Sequence, residues 1–175
     1  TLGLEGSRNG KPVSGGKSLT TENGVNTPFI VSMPGTVPKG KVSDALIDFS
    51  DMYPTILDFA GGTPEKGFTF DGVSARKVFI GEASDTGRDH ILAMGCMPAV
   101  LTDQGVESVY YFRDRVIRGK DYKLFVDPYR RPVKLIDLKN DFYEEKNLLG
   151  APDLIEVETA LTTIASSLPE KDADP

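Results

Sequence analysis

Apolar residues recur at helical spacing in two stretches of this chain. The first runs from Val42 to Ala60, where Ser50 is a good N-cap residue for a helix at about 50–60 and Gly61-Gly62 ends the pattern. The second lies at about 153–168, where the apolar positions form one stripe along a helix. We therefore predict two helices, the second with an apolar face that needs a partner. Its stripe consists of Leu154, Val157, Leu161, Ile164 and Leu168.

Short apolar runs elsewhere predict β-strands. Phe29–Met33 is apolar on both faces and is followed by a Pro-Gly turn, which is typical of a buried strand in a layered α/β sheet. Three later runs, Ser108–Ile117, Tyr122–Val126 and Val133–Leu138, are joined by short polar segments that favour an antiparallel meander. We expect the helix at about 153–168 to cover this meander.

The remaining stretches show no clear period. Residues 1–24 are rich in Gly, Ser, Lys and Asn, and this composition predicts a loop. Residues 63–90 are interrupted by Pro64 and by several glycines. They are predicted to form a connection with one short helical candidate at Val73–Ile80.

Composition and charge narrow the function classes. The chain has 175 residues with 20 Lys and Arg against 26 Asp and Glu, a net charge of -6, so it offers no broad electrostatic surface for nucleic acid or an anionic membrane. A single Cys forbids an intrachain disulfide, and one Cys with one His cannot supply a structural zinc site. The chain has neither an initiator Met nor a signal-peptide pattern, and we expect it to be cut from something longer.

Several local patterns imitate chemistry that the chain does not support. Gly10–Ser18 suggests a phosphate-binding loop, but Lys11 stands where that loop needs its first Gly. His90 is the only imidazole, and a lone His at a strand edge is expected to be a surface or structural residue. The acidic residues around the first helix are expected to be solvated positions or caps instead of a metal site. They are Asp48, Asp51 and Asp58.

A set of short segments, each weak alone, shares a family's order and spacing. In this combination, residues 15–149 resemble the later half of the arylsulfatase family, which has the alkaline-phosphatase-like fold. Six pieces in family order make coincidence improbable. The segments are Gly15–Val31, Pro34-Gly35, Asp51–Gly61, Phe70–Ser74, Arg118–Leu124 and Leu135–Leu148.

The resemblance implies a fold class and a division of the chain. The class is α/β, the C-terminal part of an alkaline-phosphatase-like sandwich with a small antiparallel sheet packed against a C-terminal helix. Residues 1–90 would end the main α/β domain with the Lys17 loop, the strand 29–33 and the helix at about 50–60. Residues 91–175 would form the C-terminal antiparallel subdomain.

The resemblance also implies an activity for the intact protein. It would hydrolyse sulfate esters by a formylglycine and calcium mechanism, with the nucleophile and the metal ligands outside this chain. The segment alone is therefore expected to be inactive, with no catalytic residue and no metal ligand of its own. Cys96 stands in a sequence like the one that sulfatases convert to formylglycine, but Val100 replaces the Arg, so we expect an inert thiol.

One residue of the chain carries over as a candidate site residue. Lys17 falls where sulfatases place a Lys that contacts the sulfate group, and a compact ammonium can stabilise charge on sulfate oxygens. Asn26 stands where the family often has Arg or His just before a Pro, so the contact made there is open.

The expected partners follow from the same resemblance. They are a sulfate-ester small molecule or a sulfated glycan, the missing N-terminal catalytic region and a second copy of the segment, with no nucleic acid and no membrane. The intact protein is expected in the periplasm or outside the cell. Two alternatives stay open: a non-catalytic interaction or structural domain, and a phosphoryl or phosphonate hydrolase of the same superfamily.

Overall fold

The computed structural model describes residues 4–95, 100–107 and 112–169. These residues divide into two compact units, one built from the chain up to residue 27 together with the chain from 92 onward, the other from Pro28–Ile91. The sequence assigned 1–90 to one domain, whereas the structure groups the N-terminal residues with the C-terminal sheet. The domain division of the intact protein stays a prediction.

Most elements are short, and three successive helices separate the first two strands from the six that follow. Two 3-10 turns, Phe49–Asp51 and Pro152–Leu154, lead into the second and fourth helices. In chain order the elements are β1 (Glu5–Arg8), β2 (Lys11–Ser14), α1 (Glu22–Val25), α2 (Met52–Phe59), α3 (Arg76–Phe79), β3 (Ile91–Met94), β4 (Val100–Thr102), β5 (Gly105–Glu107), β6 (Arg115–Arg118), β7 (Tyr122–Val126), β8 (Pro132–Asp137) and α4 (Ile155–Ser167).

The first unit is built on a four-stranded sheet with the order β3-β6-β7-β8. Strand β7 pairs antiparallel with both of its neighbours, so the predicted meander is confirmed. Helix α4 confirms the predicted helix at about 153–168 and lays its apolar stripe on one face of this sheet, where Leu161 and Ala165 pack against Leu124 and Val126. Because side chains alternate along a strand, Lys123 in β7 projects from the opposite face.

The second unit is organised around the start of α2, which confirms the predicted helix at about 50–60. The predicted cap residue, Ser50, is wrong, because Asp48 takes the N-cap position. The Asp48 carboxylate accepts the Ser50 N–H at 2.7 Å, and the Asp51 carboxylate accepts the Asp48 N–H at 2.9 Å. Asp48 and Asp51 therefore form a cap, which is one of the two roles expected of the acidic residues, and Asp51 is fully buried, where it accepts the Val73 N–H and pairs with the Arg88 guanidinium. These bonds fix the turn into α2 against the segment that precedes α3.

The strand predicted at Phe29–Met33 is a correction. Within the described ranges these residues pair with no strand and are assigned to none. The apolar side chains are largely exposed, with Phe29 at 51%, Ile30 at 89% and Met33 at 46%. An extended run becomes a strand only when a partner supplies its backbone hydrogen bonds, and the described chain offers none here.

Three further boundaries differ from the sequence prediction. Residues 1–24 are not one loop, since 5–14 form the β1-β2 hairpin around an Asn9-Gly10 turn. Both turn residues have positive φ, 52° and 78°, as a two-residue hairpin turn of the primed type requires. The helical candidate at 73–80 shortens to α3, and of the run 108–117 the structure describes β6, residues 108–111 lying outside the described ranges. No helix in the described ranges is long and apolar enough to span a bilayer.

Candidate functional site

Lys17 lies exposed in a tight turn that follows the β1-β2 hairpin. The Leu19 N–H donates to the Gly16 carbonyl at 2.8 Å and closes this turn, and Ser18 adopts a positive φ of 74° within it. A Cβ at Gly16 would lie 2.6 Å from the Asn23 carbonyl carbon, so only glycine allows the turn to pack this closely on α1. The Lys17 turn and α1 therefore form one compact loop, residues 16–26, which we name the Lys17 loop.

The Lys17 loop is held by a buried ion pair network. Lys123 Nζ lies 3.0 Å from Glu22 Oε1 and 2.7 Å from Glu144 Oε1. The side chains of Lys123, Glu22 and Glu144 are 0%, 2% and 5% exposed. We name these three residues the Glu22–Lys123–Glu144 cluster, and it joins α1 to β7 and to the turn after β8.

Neighbouring groups satisfy the remaining polar atoms of the two carboxylates. The Glu22 N–H donates to Glu144 Oε2 at 3.1 Å, and Asn26 Nδ2 donates to Glu22 Oε2 at 2.9 Å. Arg118 Nε stands 3.9 Å from Glu22 Oε1, so two cations face two carboxylates. A buried ion pair is tolerated only when its hydrogen bonds are made in this way. Asn26 thus has a defined role in this chain, as a donor to Glu22.

Glu144 contributes its backbone as well as its side chain. Its φ of 58° lies in the left-handed region, which is uncommon for a residue with a side chain, and Lys134 Nζ donates to its carbonyl at 2.6 Å. A non-glycine residue persists there when its surroundings fix it. Here the surroundings are contacts to Lys123, to α1 and to Lys134 in β8.

The residues around Glu144 also hold the β1-β2 hairpin. Tyr143 Oη donates to the Arg8 carbonyl at 2.6 Å, and the Arg8 guanidinium lies 3.9 Å from the Phe142 ring centroid. Lys11 Nζ lies 4.6 Å above the Tyr143 ring. The chain on both sides of Lys17 is therefore fixed to the same turn of the C-terminal sheet.

The other sequence candidates do not join this site. His90 Nδ1 lies 2.5 Å from Asp89 Oδ1, and the hydrogen bond from His90 holds the pKa of Asp89 below its usual value. Cys96 lies outside the described residues, as does the side chain of Val100. In the described ranges no three His, Cys, Asp or Glu side chains cluster as metal ligands, so these residues do not fit a calcium ion.

The sequence predicts a role for Lys17, which stays a prediction, and it does not indicate what holds the Lys17 loop. Glu22, Lys123 and Glu144 were not singled out. The sequence signal that could have revealed them is Lys123, the only charged residue in the otherwise apolar strand Tyr122–Val126. A lysine at such a position indicates a buried partner that the local pattern cannot name.

Comparisons with known proteins agree on one family. The family model described as N-sulphoglucosamine sulphohydrolase, C-terminal, matches residues 16–171. An ulvan-active sulfatase of Formosa agariphila is 26% identical over 167 residues, which are 79% of this chain and 32% of the relative. Arylsulfatase G of Rattus norvegicus is 37% identical over 71 residues, which are 41% of this chain and 13% of the relative. The chain thus spans about a third of the length of the ulvan-active sulfatase and a smaller share of the length of arylsulfatase G.

Solved structures show the same fold. One solved structure, whose title concerns the metabolism of multiple glycosaminoglycans by Bacteroides thetaiotaomicron, matches this chain with a TM-score of 0.54 and 25% sequence identity. The match covers 73% of this chain and 27% of the chain in that structure. The structure of Ps i-CgsB in complex with k-i-k-neocarrahexaose has a TM-score of 0.54 and 21% identity, covering 78% of this chain and 28% of that chain. The expected fold class, the C-terminal part of an alkaline-phosphatase-like sandwich, is confirmed.

Proposed function

Because the chain belongs to the N-sulphoglucosamine sulphohydrolase C-terminal family of sulfatases, we propose that it is the C-terminal portion of a protein that hydrolyses sulfate esters. The curated relatives it matches carry sulfatase names, among them an ulvan-active sulfatase and an arylsulfatase. The single structural observation that carries the proposal is an exposed cation, Lys17, on a loop whose other end is fixed by buried charges. Such a loop can present one ammonium group in a constant place.

Lys17 would bind the sulfate group of the substrate. An ammonium near the sulfuryl oxygens stabilises the negative charge that shifts among them as the S–O bond breaks. A cation held in advance by the fold is worth more than a mobile one, because it needs no reorganisation during the reaction. The short turn closed by Gly16 and Leu19 provides this preorganisation for the Lys17 backbone.

The nucleophile and the metal would come from residues outside this chain. We propose formylglycine and calcium for them on the family resemblance alone. A formylglycine residue and a bound calcium ion would supply the nucleophile and the Lewis acid. This chain's own contribution is binding and orientation of the substrate through Lys17.

The proposed substrates are sulfated glycans or smaller sulfate esters. Two of the similar proteins described above support this by name, the ulvan-active sulfatase and the structure titled for the metabolism of glycosaminoglycans. The shared chemistry is a sulfate monoester on a hydroxyl of a sugar.

The test is turnover by the intact protein that carries this chain. Nitrophenyl sulfate, a sulfated oligosaccharide and nitrophenyl phosphate would be assayed side by side, with the isolated 175-residue chain as the control. We expect hydrolysis of both sulfate esters by the intact protein and none by the isolated chain, because the proposed nucleophile lies outside it. Preference for the phosphate ester would make it a phosphohydrolase, and no turnover of any of the three would make it a non-catalytic domain.

A further inference from the structure

We infer that the Glu22–Lys123–Glu144 cluster is the device that positions Lys17, so that the C-terminal sheet takes part in substrate binding without touching the substrate. The inference rests on the proposed function only for its kinetic consequence. Its structural part, that these buried charges hold the Lys17 loop in one place, concerns this chain alone. Glu22, Lys123 and Glu144 are positioning residues in this account, and Lys17 is the residue that meets the sulfate.

The Lys17 loop transmits the position of Glu22 to Lys17. A Cβ at Gly16 would meet the backbone of Asn23 at 2.6 Å and of Gly24 at 2.7 Å, so the Lys17 turn lies in backbone contact with α1. A Cβ at Gly24 would in turn overlap the carbonyl oxygens of Leu19 and Gly16. Since the two ends of the loop pack without a gap, a shift of Glu22 must move Gly16 and its neighbour Lys17.

The same site of the sheet could have been filled by apolar residues. Replacing a buried ion cluster by well-packed apolar side chains is often neutral or stabilising, so the cluster is weak evidence for stability. Its charges instead allow one arrangement, because a displaced Glu22 would leave Lys123 buried with a partner missing. Replacing the whole cluster costs little, whereas separating one charge from it costs much. This difference is expected of a group that specifies where the loop lies.

Glu144 makes the arrangement specific to the C-terminal sheet. Its carboxylate bonds both Lys123 Nζ and the Glu22 N–H, while its carbonyl accepts from Lys134. Glu144 is therefore bonded to β7, to β8 and to α1 at the same time. Its strained backbone conformation, with φ of 58°, is retained where those three elements meet.

The first experiment measures hydrogen exchange in the chain itself. Glu22→Gln and Glu144→Gln keep the shape of the side chain and remove its charge, and Glu145→Gln is the matched control, because Glu145 is adjacent but 71% exposed. We expect the two cluster variants to raise amide exchange in residues 16–26 by about 10-fold or more while β6, β7 and β8 keep their protection. The Glu145→Gln variant should match the wild type.

Two results would overturn the structural part. Unchanged exchange in residues 16–26 would mean that the cluster does not hold the loop. If the amides of the sheet strands and of the Lys17 loop lost protection equally, the cluster would stabilise the whole unit and would not specifically hold the Lys17 loop in place. Asn26→Ala, which removes the hydrogen bond to Glu22 Oε2 without uncovering a buried charge, is the second variant and must give the same pattern as Glu22→Gln.

The second experiment is a double-mutant cycle in the intact protein. Glu22→Gln should lower kcat/KM for a sulfate ester by about 10- to 100-fold, because small misplacement of a charge-stabilising group is costly. In a Lys17→Ala background the same substitution should change kcat/KM by less than about 3-fold, since the group it positions is absent. Additive effects would overturn the positioning role even with the loop exchange as expected.

The two experiments separate the inference from the proposed function. If Lys17→Ala alone leaves sulfate-ester turnover unchanged, the proposed role of Lys17 fails, and the exchange pattern still decides whether the cluster holds the loop. If Lys17→Ala lowers turnover and Glu22→Gln does not, the role of Lys17 stands and the positioning inference fails.

Discussion

The backbone N–H of Glu22 donates to the carboxylate of Glu144 at 3.1 Å across 122 positions of sequence. This bond joins the loop that carries Lys17 to a turn of the C-terminal sheet. The same carboxylate binds Lys123, so one side chain links three elements. The N-terminal residues of this chain are thereby part of the C-terminal unit.

Removing the central cation should destabilise this unit strongly. Lys123→Met leaves two carboxylates buried without their shared partner, and breaking a buried ion pair in this way typically costs about 3–5 kcal/mol. Urea unfolding followed by exchange protection in β7 would measure the loss. Lys139→Met, at an exposed position, is the control and should stay within about 0.5 kcal/mol of wild type. A Lys123→Met variant as stable as that control would contradict the burial of charge described here.

The close contact between Gly16 and α1 predicts a steric effect. Gly16→Ala places a Cβ 2.6 Å from the Asn23 backbone, so the turn or α1 must shift, at a cost of about 1–3 kcal/mol. Gly6→Ala is the control, because its Cβ would meet only Val13 Cγ2 at an ordinary 3.9 Å. Faster amide exchange in residues 16–26 of Gly16→Ala, with none in Gly6→Ala, is the expected result. Wild-type exchange in both variants would show that the turn is not packed on α1.

Asp127 gives the chain a predictable pH dependence. Burial raises the pKa of Asp127, but the hydrogen bonds from Arg131 and Tyr129 outweigh it and leave that pKa below its usual value. A carboxyl with a lowered folded pKa stabilises the native state above its unfolded pKa of about 3.9, and this contribution disappears as the pH falls through the folded pKa. The free energy of unfolding should therefore be higher for wild type than for Asp127→Asn at pH 6 to 7.

The same comparison at acid pH completes this prediction. The difference between wild type and Asp127→Asn should shrink as the pH falls below about 4, because Asp127 then takes up a proton in the unfolded state, and it should vanish once the pH lies below the lowered folded pKa. Asp71→Asn, at an exposed position, is the control and should show no such narrowing. A difference that stays constant between pH 7 and pH 2.5 would contradict the role of the Asp127 charge.

The exposed run Phe29–Met33 predicts where the rest of a sulfatase would pack. Ile30 is 89% exposed, and these residues pair with no strand in the described ranges, so their amides should exchange rapidly in a dilute monomer of this chain. In the intact protein, or in a self-associated chain, the same amides should become protected. If the amides of Phe29–Met33 in the monomer were as protected as those of Tyr122–Val126, the strand partner would lie within this chain. That result would contradict the prediction that residues outside this chain pair with the run.

Local patterns predicted the parts of the fold that local patterns control. The period of apolar residues located α2 and α4, and alternation with short connections located β7 and β8. The β1-β2 hairpin was within reach of the same reasoning, since Asn9-Gly10 is a strong turn signal. It was missed because its strands are short and polar, with β1 exposed along its whole length.

The buried charges could not be predicted in this way. Lys123 and Glu22 are 101 positions apart, and nothing near either residue specifies the other. The strand predicted at 29–33 failed for a different reason, because its apolar pattern indicates burial but it pairs with no strand in the described ranges. In both cases the local pattern does not specify the partner on which the structure depends.

The central claim is that Lys17 serves a sulfatase by binding the sulfate group. The most direct measurement is kcat/KM of the intact protein for a sulfate ester, compared between wild type, Lys17→Ala and Lys39→Ala, a control at an exposed position in the other unit. We predict that Lys17→Ala lowers kcat/KM by about 10²- to 10³-fold and that Lys39→Ala leaves it unchanged. A Lys17→Ala value within about 3-fold of wild type would contradict the claim and make Lys17 an ordinary surface lysine.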